Sequence, residues 1–282
     1  MGAYLLWGVL PVYWKLLQTV PATQILAHRV AWSFLFLLIL ILLRREAAAL
    51  RQSVDRRNLG VYAIASALLS VNWLTYIWAV NAGRIVESSL GYFINPLVSI
   101  LLGVVFFRER LRPTQWLAVG VAAAGVGYLT WRHGAPPWVA LVLAGTFAFY
   151  GLLKKTAPLG ALHGLAFETG ILWLPAVAFL AVVELGGSGQ TAGAGTMTWA
   201  LLVFTGVVTG LPLLMFAAAA RRVRLSTIGI LQYLAPSCQL LIGVVVYHEP
   251  FDRARLIGFT LIWAALAIYS ADSLREMSRR GA

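Results

Sequence analysis

The chain has 282 residues, of which 60% are hydrophobic and 11% charged, and its net charge is +12. Soluble domains carry charge on about a quarter of their residues, so this composition excludes a water-soluble globular protein and indicates a body surrounded by lipid. The basic residues lie in short loops between apolar segments, where membrane topology selects for them, so the positive charge does not indicate nucleic-acid binding. The single cysteine, Cys238, excludes an intrachain disulfide.

Apolar segments recur along the whole chain and are long enough, at about 20 residues each, to cross the hydrocarbon of a bilayer. Hydropathy and helix-breaking residues predict ten transmembrane helices, over residues 2–20, 22–43, 59–81, 86–107, 114–131, 136–153, 160–183, 198–220, 225–247 and 254–271. The predicted fold class is therefore an all-α polytopic membrane protein. The first segment has no basic n-region and no small-residue cleavage site, so we do not interpret it as a signal peptide, and a start upstream of Met1 is left open.

Positive loop charges orient these helices. With both termini on the cytoplasmic side, 16 of the 22 Lys and Arg residues fall in cytoplasmic segments and four in external ones. The remaining two, Lys15 and Arg29, lie within predicted helices. Because the cytoplasmic loops of membrane proteins are enriched in Lys and Arg, this distribution predicts that both termini are cytoplasmic.

The two halves of the chain resemble each other at a shift of 140 residues. The matched landmarks are Arg84 with Arg224, Pro96 with Pro236, Gly103 with Gly243, and Glu109 with Glu249. We therefore predict two repeats of five helices each, over residues 1–131 and 132–282. Because each repeat has an odd number of helices, the second repeat enters the membrane from the opposite face. Inverted repeats are typical of carriers that work by alternating access, although a channel can also be duplicated.

Ionisable side chains inside the predicted helices are few. Each costs about 2.5–3.5 kcal/mol in hydrocarbon on insertion scales, so we expect them to face a protein interior or a water-filled cavity. Lys15, in the first helix, is a candidate substrate-binding cation, and the alternative is a lysine that extends to the membrane interface. His28 and Arg29, about two turns into the second helix, are further candidates, since Arg29 can bind an anionic group bidentately. The alternative for Arg29 is a pairing with backbone carbonyls.

Glu168 is the only carboxylate well inside a predicted helix. It is our candidate for proton coupling or for binding a substrate amine, and the alternative is a structural ion pair with Lys15 or Arg29. We expect Lys15, Arg29 and Glu168 to border one water-filled cavity between the two halves.

The remaining candidate substrate-binding residues are polar side chains in three further helices. They are Asn72 and Tyr76 in the third helix, Tyr92 and Asn95 in the fourth, and Gln232 in the ninth. The four histidines show no spacing typical of a metal site, so we predict neither a metal nor a cofactor.

Several stretches of the chain resemble the RarD family, which belongs to the EamA-type drug/metabolite transporter superfamily of bacterial inner membranes. They are Trp7-Gly8, His28 to Phe34, Asn72-Trp73, Ile77 to Asn81, Ser89 to Leu97, Phe149 to Gly151, Leu225 to Thr227 and Gln232-Tyr233. The resemblance covers essentially the whole chain. It implies ten helices in two inverted repeats, with the fifth and tenth helices peripheral, and it implies a secondary permease of the bacterial inner membrane.

The predicted function is secondary active transport of a small polar or amphipathic metabolite or drug by alternating access, with proton coupling left open. The chain has no G-x-x-x-x-G-K-[ST] loop, so we do not expect it to hydrolyse ATP. It has neither H-E-x-x-H nor G-x-S-x-G, so we predict that it is not an enzyme. The alternative is a channel or a membrane-embedded receptor. The expected partners are a small-molecule substrate and the lipid bilayer, and a homodimer is left open.

Overall fold

The computed structural model describes residues 1–53, 55–108, 110–191, 193–220 and 232–280, and within these ranges the chain is helical and contains no β-strand. The helices are α1 (Gly2–Lys15), α2 (Ala22–Leu43), α3 (Ala47–Gln52), α4 (Arg56–Asn81), α5 (Ile85–Phe107), α6 (Pro113–His133), α7 (Trp138–Thr156), α8 (Ala161–Leu185), α9 (Thr196–Ala220), α10 (Leu234–Leu241) and α11 (Arg253–Arg280). A π-helical turn over Ile242–Val246 continues α10.

Long apolar helices make the chain a polytopic membrane protein. Among the described residues, 6 helices are long and apolar enough to cross a bilayer, namely α2, α4, α5, α8, α9 and α11. Two further apolar helices, over Trp138–Lys154 and Leu234–Val246, are shorter. The all-α polytopic class is therefore confirmed, whereas the count of ten crossings and the two inverted repeats stay predictions.

Most predicted helix boundaries agree with the structure, because apolar runs and helix breakers set them locally. Helix α2 spans the predicted residues 22–43 without any shift. Helix α1 ends at Lys15 rather than near residue 20. Helix α11 extends beyond the predicted residue 271 as a polar segment. The short α3, which buries none of its residues, lies in a segment where we predicted only a loop.

Two predicted features lie partly outside the described residues. The ninth predicted helix, over residues 225–247, begins there. The repeat landmarks Glu109 and Arg224 also lie outside the described residues.

Helices α2 and α8 run antiparallel through the centre of the molecule. In the first turn of α2, the Gln24 side chain donates to the Ser188 carbonyl just beyond α8, at 3.4 Å. At the opposite end, Glu46 follows α2 and lies 3.0 Å from His163 in the first turn of α8. The start of α2 therefore lies at the same end of the bundle as the end of α8, and the start of α8 lies at the other end.

The helices of the two halves pack extensively against each other. The most extensive pairs are α5 with α7, α6 with α11, α2 with α8, α2 with α9, α4 with α7, and α1 with α10. Helices α6 and α11 pack mainly on each other, where a Cβ on Gly125 would lie 3.1 Å from the Gly258 carbonyl oxygen. This close approach allows the two helices to lie side by side at the edge of the bundle.

Glu249 is a buried carboxylate that caps a helix. The backbone N–H groups of Ile85 and Val86 donate to its two oxygens at 2.7 and 2.8 Å, at the N-terminus of α5. The unsatisfied N–H groups and positive dipole end of a helix stabilise a carboxylate there.

Candidate functional site

Arg29 is a buried cation on which four helices converge. Its Nε donates to Thr209 Oγ1 on α9 at 2.9 Å. Its guanidinium carbon lies 3.9 Å from the ring centroid of Trp73 on α4 and 5.0 Å from that of Trp14 on α1. The side chain is 5% exposed. Cation–π contacts of this kind attract the guanidinium to the faces of the two indoles.

Two predicted substrate-binding tyrosines interact electrostatically with Arg29. They are Tyr76 on α4 and Tyr92 on α5. Their ring centroids are 5.7 Å apart, and Tyr92 lies 6.3 Å from Phe147 on α7. We call Arg29, Trp14, Trp73, Tyr76, Tyr92 and Thr209 the Arg29 cluster.

Several polar atoms in and near the Arg29 cluster are buried and make no hydrogen bond with the part of the chain that the structure describes. They are Arg29 Nη1, Trp14 Nε1, the Tyr76 hydroxyl and, one helical turn beyond Tyr92, Asn95 Oδ1. Buried polar groups in proteins are hydrogen-bonded in the great majority of cases. A concentration of unpaired ones is therefore typical of a place that receives a polar ligand or water.

Each acidic side chain that the structure describes contacts a group other than Arg29, and none of them forms an ion pair with Arg29. The pairs are Glu46 with His163, Asp55 with Asn58, Glu87 with Arg84, Glu168 with Lys154, Glu184 with Thr191, Glu249 with the backbone of Ile85, Asp252 with the backbone of Arg255, and Asp272 with Arg112. The positive charge of Arg29 is thus not neutralised by any of these eight carboxylates.

Lys15 lies apart from the Arg29 cluster. Its Nζ donates to the Asn81 carbonyl at the end of α4, at 3.4 Å, and lies 5.5 Å from the Tyr247 ring. Asn81 also lines a pocket of about 390 Å³ at this end of the bundle. The pocket is lined by Gln18, Thr19, Val20, Pro21, Ala22, Trp78, Asn81, Ala82 and Gln190. This position agrees with the alternative given above, in which Lys15 extends towards a membrane interface.

Three other candidates make contacts outside the Arg29 cluster. His28 is buried with its ring edge-on to Trp199, at 5.5 Å between centroids. The Asn72 amide donates to the Leu143 carbonyl and to Thr146, both at 3.0 Å, and so ties α4 to α7. Gln232 interacts with the neighbouring Tyr233. The structure thus joins Arg29, Tyr76 and Tyr92 and leaves these three residues elsewhere.

Glu168 lies in a second cluster and is paired with a different cation from those we expected. Lys154 Nζ lies 2.8 Å from Glu168 Oε1, and the Tyr150 hydroxyl donates to Oε2 at 3.0 Å. Lys154 also lies 5.2 Å from the Tyr62 ring centroid. Glu168 is fully buried. We call Glu168, Lys154, Tyr150 and Tyr62 the Glu168 cluster.

The expected ion pair of Glu168 with Lys15 or Arg29 is therefore wrong, for a structural reason. Helix α7 continues to Thr156, so Lys154 belongs to a helix and not to the break that we placed there. Lys154 follows Tyr150 by four residues, and residues at this spacing share one helix face. Both side chains consequently reach Glu168 on α8.

Arg29 and Glu168 also lie at different depths. A Cβ on Gly170 would lie 3.0 Å from the Phe34 ring, which places these two residues at the same level of the antiparallel pair α2 and α8. Arg29 precedes Phe34 on α2, and Glu168 precedes Gly170 on α8. Because the two helices are antiparallel, the two charges lie on opposite sides of this level and are separated by about 10 Å along the helix axes. The expectation that they border one cavity is corrected to two clusters at opposite depths.

Sequence reasoning missed Trp14, Thr209, Lys154 and Tyr150. The spacing of Tyr150 and Lys154, four residues apart, was a usable signal, because it places both on one face of a helix. Trp14 and Thr209 lie in apolar runs without any distinguishing pattern. Only their contacts with Arg29 in the folded structure identify them.

Comparison with known proteins gives consistent relatives along the whole chain. Residues 1–131 match the EamA-like transporter family. The chain is 47% identical to the protein RarD of Streptomyces exfoliatus, over 99% of this chain and 89% of that protein. It is 45% identical to an uncharacterized transporter of Pseudomonas aeruginosa, over 99% and 94%, and 42% identical to the protein RarD of Escherichia coli, over 99% and 95%.

A solved crystal structure of a more distant protein has the same fold. It matches 95% of this chain and 94% of its own length, with a TM-score of 0.58 and 21% sequence identity. At this identity the match concerns the fold alone.

Proposed function

The chain belongs to the RarD family of EamA-type transporters, and from this premise we propose that it is a secondary active carrier that moves a small polar or amphipathic metabolite or drug by alternating access. That it is a membrane transporter follows from the family and from the apolar helices. We further propose that it lies in a bacterial inner membrane with both termini cytoplasmic, because its Lys- and Arg-rich segments then face the cytoplasm.

The Arg29 cluster is the observation that supports a carrier most directly. Ionisable residues inside membrane spans mark substrate and ion pathways, because their cost in hydrocarbon is otherwise uncompensated. Arg29 is held by side chains from α1, α4 and α9 and lies in the electrostatic neighbourhood of Tyr92 on α5. Helices of both halves of the chain therefore meet at this residue, as they do at the substrate sites of inverted-repeat carriers.

The packing of the helices supports the two inverted repeats. In the predicted repeats, α1, α2, α4, α5 and α6 correspond in order to α7, α8, α9, α10 and α11. The packed pair α5–α7 therefore corresponds to α10–α1, and α4–α7 corresponds to α9–α1. Both of these corresponding pairs are also packed. The pairs α2–α8 and α6–α11 convert into themselves. The family match over residues 1–131 covers the same residues as the predicted first repeat.

One local contact is similar in the two halves. Ser66 on α4 donates to the Glu168 carbonyl of α8 at 3.0 Å. At the shift of 140 residues its counterpart is Gly206 on α9, whose Cα approaches the Trp32 carbonyl of α2 so closely that a Cβ would not fit. Each half thus presents a small residue to a backbone carbonyl of the other half, although the two carbonyls differ by one helical turn in the repeat, since Trp32 corresponds to Leu172.

The two ends of the bundle suggest how access alternates. At the end that we propose to be external, Trp14, Leu17, Ile25 and Leu202 are fully buried in one apolar cluster. At the cytoplasmic end the Glu168 cluster joins α7 to α8. Opening towards the cytoplasm would require the contact of Glu168 with Lys154 to break. Protonation of Glu168 removes its charge and weakens that contact, which is a physical route for proton coupling.

The experiment that tests coupling uses proteoliposomes with an imposed pH gradient. A thermal-shift screen of the purified protein against a metabolite library first identifies ligands, and transport assays in proteoliposomes then select a compound that is carried. We expect Glu168→Gln to abolish the response of its transport to the gradient, because glutamine does not titrate. The matched control is Glu46→Gln, which removes a surface carboxylate that is 39% exposed and pairs with His163. Proton coupling through Glu168 is excluded if the Glu168→Gln protein responds to the gradient as the wild type does.

A second measurement separates a carrier from a channel. A carrier preloaded with unlabelled substrate accelerates the entry of labelled substrate, whereas a channel does not. We expect such counterflow for the wild type. Its absence, together with a flux that does not saturate, would contradict alternating access.

A further inference from the structure

We propose that the Arg29 cluster is a binding subsite for the carboxylate of a small organic anion that also has an apolar body. This proposal deepens the proposed function by naming the substrate class, and its transport step rests on that function. The binding step does not, because a detergent-solubilised protein can bind an anion without transporting it.

Charge balance is the first argument. Arg29 is buried, and each of the eight acidic side chains that the structure describes is engaged with another group. A buried charge costs several kcal/mol of desolvation unless an opposite charge and hydrogen bonds compensate it. The Thr209 hydroxyl and the indole faces of Trp14 and Trp73 compensate only in part, since none of them is an anion. A bound anion would supply the missing charge.

The geometry of the guanidinium narrows the chemistry of that anion. Its carbon lies over the rings of both Trp73 and Trp14, so both indole faces pack against the group. Nε is already used by Thr209, whereas Nη1 makes no hydrogen bond with any described residue. Nη1 is therefore a donor that is left for a ligand. The donor fork of arginine matches both carboxylate and phosphate oxygens. A carboxylate carries one negative charge and so balances Arg29, whereas a phosphate with a charge of about −1.5 to −2 would leave a surplus of buried negative charge.

The surrounding side chains favour an apolar body behind the carboxylate. The rings of Tyr76 and Tyr92 pack edge to face at 5.7 Å, and Tyr92 continues to Phe147 at 6.3 Å. Aromatic side chains present large apolar surfaces to a ligand. The buried Tyr76 hydroxyl, which makes no hydrogen bond with the described chain, can donate to a second carboxylate oxygen. Arg29 thus recognises the charge, and the rings accept the body.

The test uses probes of matched shape and different charge. The purified protein in detergent is titrated with phenylacetate, phenylacetamide and phenethylamine by isothermal titration calorimetry. Acetate and inorganic phosphate are added as probes of the head group alone. We expect phenylacetate to bind saturably with a Kd below about 10 mM. We expect the Kd values of the amide and the amine to be at least about tenfold higher, which corresponds to a difference in binding free energy of about 1.4 kcal/mol.

Three variants assign the binding to Arg29. Arg29→Gln keeps polarity and removes the charge, so we expect loss of phenylacetate binding. Arg29→Lys keeps the charge and removes the planar donor fork, so we expect weaker binding that still prefers the carboxylate. Lys15→Gln is the matched control, because it removes a positive charge from the first helix outside the Arg29 cluster, and we expect it to bind phenylacetate as the wild type does.

Several outcomes would overturn the proposal. They are the absence of saturable binding by any carboxylate probe, equal binding of phenylacetamide and phenylacetate, and phenylacetate binding that survives in Arg29→Gln. Tighter binding of phosphate than of phenylacetate would also overturn the choice of a carboxylate. A folded Arg29→Gln protein is verified by its elution in size-exclusion chromatography and its thermal melting.

Transport is then measured separately, so that the two proposals fail in different ways. If phenylacetate binds through Arg29 but shows no counterflow with any carboxylate probe in proteoliposomes, the subsite stands and the carrier function is contradicted. If counterflow occurs only with neutral or cationic compounds from the library, the carrier stands and the anion subsite is contradicted.

Discussion

The Arg29 cluster and the Glu168 cluster solve the same problem in opposite ways. Each places a charged side chain inside a bundle of apolar helices. Glu168 has a cation 2.8 Å away and a tyrosine hydroxyl at 3.0 Å, so the chain itself supplies both its counter-ion and its hydrogen-bond donors. Arg29 has a threonine hydroxyl and two indole faces, but no carboxylate among the described residues. The first arrangement is complete, whereas the second lacks a counter-ion.

This difference separates two roles that the sequence cannot distinguish. A buried ion pair holds two helices in a fixed relation, and its loss leaves an uncompensated charge. A buried charge without a counter-ion adds little to stability and is available to a ligand. We infer that the Glu168 cluster stabilises one conformation of the carrier and that the Arg29 cluster serves the substrate. Mutations of the two clusters should therefore change different measurable quantities.

Removal of Lys154 is expected to have the largest effect on stability. Lys154→Ala leaves Glu168 buried without its cation, so we expect a loss of about 3–5 kcal/mol in the free energy of unfolding. The measurement is equilibrium unfolding of the purified protein in mixed micelles with increasing dodecyl sulfate.

The double variant Lys154→Met/Glu168→Gln is the matched control for that loss. It removes both charges and keeps the volume, so we expect it to recover most of the lost stability. A Lys154→Ala protein as stable as the wild type would show that the pair does not hold the described conformation.

A third buried carboxylate provides an intermediate case. Glu249 receives two backbone N–H groups of α5 but is not paired with a cation among the described residues. Glutamine offers one acceptor oxygen and places an NH₂ group against the other N–H, so we expect Glu249→Gln to cost about 1–2 kcal/mol in the same unfolding measurement. A cost as large as that of Lys154→Ala would mean that the helix dipole is not an adequate partner for this charge.

Arg29→Gln is expected to have the smallest effect on stability. It loses cation–π contacts of about 2 kcal/mol and one hydrogen bond of about 1 kcal/mol, and it removes a desolvation cost of similar size. We expect the free energy of unfolding to change by less than about 1 kcal/mol. A loss comparable to that of Lys154→Ala would show that Arg29 is a structural residue, and it would remove the contrast between the two clusters.

Much of the fold could be predicted from local sequence. The apolar run from Ala22 to Leu43 is bounded by Pro21 and by two arginines, and α2 occupies that run without any shift. The polar residues inside the spans were also visible, because charge is rare there. Arg29, Tyr76 and Tyr92 are polar side chains inside predicted helices, and in the structure the two tyrosines interact electrostatically with Arg29.

Partners distant in sequence could not be predicted in the same way. The choice of Lys154 over Arg29 as the partner of Glu168 depends on the level at which α2 and α8 cross, marked by Phe34 and Gly170. The capping role of Glu249 depends on where the start of α5 lies, more than 160 residues away in the chain. These relations arise from packing between helices, whereas a hydropathy pattern describes each helix alone.

The central claim is that the Arg29 cluster is reached by water from each side of the membrane in turn, and cysteine accessibility tests it without knowledge of the substrate. Cys238 is the only cysteine, so Cys238→Ala provides a background without thiols. In this background Thr209→Cys places one thiol beside Arg29, and Leu211→Cys places a control thiol two residues further along α9, at a side chain that is 43% exposed on the outer surface of the bundle.

Each variant is reconstituted in vesicles of known orientation and exposed to a membrane-impermeant methanethiosulfonate from one face at a time. We predict that Thr209→Cys is labelled from both faces, that phenylacetate slows the labelling, and that Leu211→Cys, which faces the lipid, reacts much more slowly from either face. Labelling of Thr209→Cys from neither face, or from one face only, would contradict the account.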